Sequence, residues 1–299
     1  MTSACPEQRR EVLSEHGPLA AVLVKHAREA FISEAVIASQ WKQLHFSAAP
    51  DFSRAIAEYD RFLELVADSG CEIVSLPQGS GLTLDSIYTR DAAIVSAEGV
   101  ILASMGKPSR AGEPAAQAEE LRREGWPIAG SIAPPGRLEG GDLVWLDQRT
   151  LAVGLGARTN SEGIRQLKVL LDGAFDELIV VPLPDYPGQH DVMHLMSLIS
   201  PVDRDLAVIY SRLLPDAFRR TLLSRGYRFV DVPDEEFETM GGNVLALGPS
   251  DCVMLNGNPK TRAALETAGA QVRGYDGQEI SLKGGGGPTC LTRPLARLE

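Results

Sequence analysis

The sequence predicts an α/β fold in which a β-β-α-β unit recurs about five times with pseudo-fivefold symmetry, closed into an array or propeller. Three observations carry this expectation. β-rich runs come in pairs; each pair is followed by a helical stretch and a further β-rich run; and the rhythm repeats with a period of about 45–55 residues, too short for each unit to bury its own apolar face. No composition break marks a linker. A doubly wound sheet would alternate single strands with helices, and neither an early G-x-G-x-x-G nor a Walker A motif is present. One domain spanning 1–299 is expected, its polar first ~15 residues loosely attached.

The elements follow in order. Residues 20–25, AAVLVK, read as a strand. Residues 53–69 carry apolar side chains at helical spacing, with Gly70 as a stop signal, and 72–76 is the next strand. Strands 92–95 and 100–103 pair around the Glu98-Gly99 turn. Residues 114–124 are helical, and Trp126 lies just past their end. Strands 142–146 and 150–153 pair around Asp147-Gln148-Arg149; a helix over 161–171 takes Ser161 as its N-cap, and a strand follows at 178–181. A fourth unit, about 194–232, holds strands near Ile199 and at 206–210, a helix 216–225 and a strand 228–232. The fifth, from Gly242 onward, holds strands 244–247 and 252–256, a helix 259–268 and a strand 272–275.

Composition excludes some classes of function. Of 299 residues, 44% are hydrophobic and 23% charged, enough apolar material for a core. The net charge of −11, with no Lys/Arg cluster, argues against a nucleic-acid partner, which demands a basic face. The N-terminus shows no apolar signal segment, and no apolar run nears the ~20 residues of a membrane helix, so a soluble cytoplasmic protein is expected. Cys5, Cys71, Cys252 and Cys290 are widely and irregularly spaced with no C-x-x-C, which reads as free thiols in a reducing compartment. Cys252 is expected in a core strand; Cys5 and Cys71 receive no role.

Four places carry chemistry. Cys290 follows Gly284-Gly285-Gly286-Gly287-Pro288-Thr289. Four successive glycines cost backbone entropy and let a loop approach a ligand closely. His194 sits among Val192, Met193, Leu195 and Met196, where a core histidine is the bland alternative; His190 lies nearby in a Gly/Pro loop, and His16, His26 and His45 have less suggestive neighbours. Glu139-Gly140-Gly141-Asp142 places backbone freedom between two carboxylates, although a polar turn looks the same. Asp91 opens an apolar strand beside Arg90.

Taken together, the order Asp91, Glu139-Gly-Gly-Asp142, His194 and Gly-rich–Cys290, spread over separate units, resembles the guanidino-group-modifying enzymes of the pentein superfamily: arginine deiminases, dimethylarginine dimethylaminohydrolases, agmatine deiminases and amidinotransferases. The resemblance covers about residues 20–295. It implies a five-bladed ββαβ propeller with the site at its centre. It also implies that Cys290 attacks the guanidinium carbon, that His194 is general acid and base, and that Asp91 and Glu139 hold the guanidinium nitrogens, with Asp142 beside them. Asp85 would take an α-ammonium, and Arg110 and Arg158 an α-carboxylate, pointing to a guanidino amino acid as substrate rather than agmatine. No metal or cofactor is required. Arginine deiminases and amidinotransferases typically show His-x-Asp where this chain has His194-Leu195-Met196. A soft apolar Met196 lining the pocket in place of that carboxylate fits an N-methylated guanidine. Thr89-Arg90-Asp91 and the glycine run look more like arginine deiminases. The expected reaction is hydrolysis of an Nω-substituted arginine such as dimethylarginine to citrulline and an amine. Arginine deimination comes second, amidino transfer third, and a non-catalytic pentein binding protein last. A homodimer is compatible with the sequence.

Overall fold

In the computed structural model, which describes residues 13–185 and 193–299, the predicted units are five three-stranded sheets. In each, the middle strand pairs antiparallel with one neighbour and parallel with the other, and helix lies between the two parallel strands. The first blade contains β1 (Leu19–Val24), helices α1 (Ala27–Phe31), α2 (Glu34–Gln40) and α3 (Phe52–Ala67), and β2 (Glu72–Ser75). The second contains β3 (Ala93–Ser96), β4 (Gly99–Leu102), α4 (Glu113–Arg123) and β5 (Ile128–Ser131). The third contains β6 (Leu143–Asp147), β7 (Thr150–Leu155), α5 (Ser161–Leu170) and β8 (Glu177–Pro182). The fourth contains β9 (Ile199–Asp203), β10 (Leu206–Ile209), α6 (Asp216–Ser224) and β11 (Arg228–Asp231), and α7 (Asp234–Phe237) leads out of it. The fifth contains β12 (Leu245–Gly248), β13 (Asp251–Leu255), α8 (Pro259–Thr267) and β14 (Gln271–Tyr275). This is the pentein five-bladed ββαβ propeller.

One strand remains, and it closes the ring. β15 (Thr292–Arg297) pairs antiparallel with β1, from Leu19↔Arg297 to Val24↔Thr292. The first blade is therefore built from both ends of the chain. Sequence reasoning saw neither β15 nor β5. It also misplaced one cap: Asn160, in extended backbone, accepts from the Gly163 amide (2.8 Å), while Ser161 is already the first helical residue.

The helices bury the stripes their spacing predicts. Asp51 caps α3 by accepting from Arg54 N, and Ala55, Tyr59, Phe62, Leu65 and Val66 line its buried face. These side chains share an apolar cluster with β1 and the strands of the fifth blade, and similar clusters join the other neighbours. Cys252 is fully buried in β13, as expected. Cys71, Cys252 and Cys290 are free thiols, whereas Cys5 and His190 lie outside the described residues. No helix among the described residues is long and apolar enough to cross a membrane. The ring brings the strand-entry loops of several blades together, and the chemistry-bearing residues sit on those loops.

Candidate active site

Each key side chain stands on a turn anchored to its neighbours. Asp91 lies just ahead of β3, and its carbonyl accepts from Gly140 N (2.8 Å), tying it to the Glu139 turn that leads into β6. His194 precedes a short 3₁₀ turn (Leu195–Ser197) at the mouth of β9. Cys290 lies two residues before β15, and its carbonyl accepts from Arg90 N (3.2 Å). Gly141 is where these turns meet. A Cβ there would stand 2.6 Å from Asp91 Oδ1 and 2.8 Å from the His194 ring, so only glycine lets the two side chains approach.

The imidazole is clamped. His194 Nε2 is 2.8 Å from Glu139 Oε2, and Nδ1 is 3.8 Å from Asp91 Oδ1. Burial opposes the charged ring, yet Asp91, Asp142 and the Glu139 hydrogen bond outweigh it and lift His194 to about 9. Glu139, itself buried, is held ionised well below the usual carboxylate range: the His194 hydrogen bond and charge and the guanidiniums of Arg158 and Arg110 overcome its desolvation. It also accepts from Gly106 N (2.7 Å) and from Arg158 Nη1 (3.3 Å to each oxygen). The Cys290 thiol is pushed up, first by burial and then by Asp91; Asn243 and Thr289, whose polar groups lie 3.4 and 3.9 Å from Sγ, pull the other way.

Cys290 and His194 both line two chambers. One, of about 40 Å³, is charged and contains Asp85, Asp91, Lys107, Arg110 and Arg158, with His45 at its edge. The other, of about 70 Å³, contains Met193, Phe237, Met240 and Asn243. Asp91, Glu139 and His194 also bring one potential metal-ligand atom each within 4.8 Å of one another. Both carboxylates are already paired with a guanidinium, Asp91 with Arg110 and Glu139 with Arg158.

A family model described as N,N dimethylarginine dimethylhydrolase, eukaryotic, matches residues 32–297. The chain belongs to that family. It is therefore a hydrolase of guanidino C–N bonds. An uncharacterized Bacillus subtilis protein, YkgA, is 29% identical over 291 residues, 96% of this chain and 95% of that protein. The N(G),N(G)-dimethylarginine dimethylaminohydrolase of Streptomyces coelicolor is 28% identical over 250 residues, 83% of this chain and 88% of its own length. Among solved structures, a Pseudomonas aeruginosa DDAH mutant complexed with citrulline superposes with a TM-score of 0.75 at 20% identity, covering 94% of this chain and all of that one. At that identity the likeness speaks for the fold.

For this member of the dimethylarginine dimethylhydrolase family the structure brings Asp91, Glu139, His194 and Cys290 together. It places Asp85, Arg110 and Arg158 in the charged chamber, each already partnered. Asp85 pairs with Lys107 (2.8 Å). Arg110 spends four hydrogen bonds on Asp91, Glu113 and the Tyr88 carbonyl, so its fork grips Glu113 instead of standing open for an α-carboxylate. Four expectations are corrected. The Arg110 fork is closed on Glu113 and Asp91, and Glu139, fully buried and lining neither chamber, spends its oxygens on His194, Gly106 and Arg158 instead of on an incoming guanidinium. Asp142 is fully buried behind His194 and accepts from Leu195 N (3.0 Å); burial pushes its carboxyl up to about 6, and it positions the histidine turn instead of lining either chamber. Met196 is 4% exposed in the apolar cluster of Val144, Leu198 and Ile209 and lines neither chamber. The apolar run around it could not say which side chain faces inward. Asn243 was missed altogether. Its Oδ1 accepts from Thr289 N and Oγ1 (2.9 Å each) while Nδ2 donates to Cys290 Sγ. A polar residue after Gly241-Gly242 reads as a turn, and only the fold shows it behind the thiol.

Proposed function

We propose that this enzyme hydrolyses Nω-substituted arginines, dimethylarginine among them, to citrulline and an amine through a thiol adduct of Cys290. The observation that carries this reading is His194 held between Asp91 and Glu139 on the wall it shares with Cys290. A planar cation entering here meets the Asp91 carboxylate for its N–H groups while Glu139, buried beside the imidazole, holds His194, and the cation's charge favours the Cys290 thiolate that burial and Asp91 hold back. Sγ adds to the guanidinium carbon, and the C–N bond breaks as His194 hands its proton to the leaving amine. A water then passes a proton to the neutral His194 and adds to the S-alkylthiouronium carbon. The C–S bond breaks as the new hydroxyl gives its proton to solvent, returning the thiolate and releasing the neutral ureido product. Asp85, Lys107 and Arg158 supply charge of both signs for the ammonium and carboxylate ends of an amino acid.

Formation of citrulline from dimethylarginine, monomethylarginine and arginine, and of the corresponding ureido amine from agmatine, tests this directly. Turnover of arginine with dimethylarginine inert would reverse the substrate order. The second reading, arginine deimination, is favoured by Met196: packed in the core, it leaves no apolar side chain at that position to select methyl groups.

A further inference from the structure

We propose that the chamber lined by Met193, Phe237, Met240 and Asn243 receives the Nω-substituent and the departing amine, and that it admits alkyl groups larger than two methyls. This rests on the guanidino-hydrolase reading and extends it to a substrate class. Cys290, His194 and Gly285 belong to both chambers, so Sγ stands in the wall between them. The zwitterionic end of an amino acid can be seated only where charges of both signs exist. Asp85, Lys107 and Arg158 lie on one side; the other side has a carboxylate, Glu238, but no lysine or arginine. With that end seated and the trigonal guanidinium carbon over Sγ, the nitrogen farthest from the chain faces the second chamber. His194, the proton donor for the leaving nitrogen, lines that chamber too.

The walls suit alkyl groups. Phe237 is stacked on Tyr210, with ring centroids 3.9 Å apart and planes at 12°, which fixes one wall. Met240 supplies a polarizable side chain that moulds to varied shapes. Its backbone has φ +66°, a conformation that side-chain-bearing residues adopt at a cost and that clusters at functional sites. The volume of about 70 Å³ is room for several water-sized groups.

The test uses the intact enzyme with arginine, Nω-methyl-, Nω,Nω-dimethyl-, Nω-propyl- and Nω-benzylarginine, following citrulline and the released amine. Propylarginine should be hydrolysed with kcat/KM within about tenfold of dimethylarginine. Met240→Trp, which fills the chamber, should lower the propyl-to-arginine ratio of kcat/KM by about 50-fold or more, and Phe237→Ala should raise the benzyl-to-arginine ratio. If methylated arginine or arginine yields citrulline while propylarginine is inert, the chamber assignment is overturned and the reaction stands. An unchanged propyl-to-arginine ratio in Met240→Trp overturns it as well. Absence of citrulline from every compound would instead remove the hydrolase reading beneath it.

Discussion

His194 is a charged group in a site that burial alone would keep neutral, and its surroundings make it pH-dependent in a defined direction. Its folded value of about 9 lies above the ordinary 6.5, so the protonated ring stabilises the fold fully below pH 6.5, and that contribution is lost as pH rises toward 9. Wild type should exceed His194→Gln in urea-unfolding stability by on the order of 1–3 kcal/mol at pH 6, and by much less at pH 9.5. A constant difference would show that the ring is not charged in the fold. Cys290→Ser should keep the fold and lose about 10³-fold or more in kcat, measured as citrulline released. Asn243→Ala removes a donor from the thiol, so iodoacetamide alkylation of Cys290 should shift to higher pH and kcat fall about tenfold with little change in KM. Of these residues, Cys290, His194, Glu139 and Asp91 were legible through their order along the chain, which resembles that of the guanidino-modifying enzymes, since each alone reads equally well as a turn, tail or core residue. Asn243 and the packing of Met196 were not, because a side chain's direction inside a short turn depends on what other blades bring to it.

The Gly284–Gly287 run acts through close approach. A Cβ at Gly284 would lie 2.0 Å from Tyr88 Oη and 2.7 Å from the Phe46 ring. Gly284→Ala should therefore cost about 1–3 kcal/mol of stability, and adding Tyr88→Phe, which deletes the oxygen in the way, should recover part of it in chemical denaturation. No recovery would mean that the loop yields elsewhere. The repeating strand pairs and helices were readable because their apolar spacing is a property of each segment. β15 was not: Thr292-Arg293-Pro294-Leu295-Ala296-Arg297 mixes charges and a proline in the manner of an exposed tail, yet every one of its residues is buried. Its arginines satisfy carbonyls from distant segments, Arg293 those of Arg90 and Gly140, Arg297 those of Gly17 and of Ala246 in β12.

Across the whole molecule, Arg90, Arg293 and Arg297 all lie at 6% exposure or less near Glu15, which accepts from Arg90 Nη1 (3.2 Å). Burial, then Arg90, presses Arg293 down to about 9 against the opposing pull of Glu15 and Asp91. Glu15→Gln removes the carboxylate paired with buried Arg90 and should lower global stability by about 3–5 kcal/mol; a urea midpoint close to that of wild type would contradict it. The same region holds the seam of the ring, where Arg297 reaches Gly17 across 280 positions of sequence. A chain emerging from the ribosome displays β1 long before its antiparallel partner exists, so one edge of the first blade stays open until β15 is made, a period in which that edge can pair with a neighbouring chain. The proposed nucleophile, Cys290, lies two residues before the closing strand. Closing the circle and seating that thiol thus belong to one event, and a chain interrupted before Cys290 has neither a finished ring nor the sulfur.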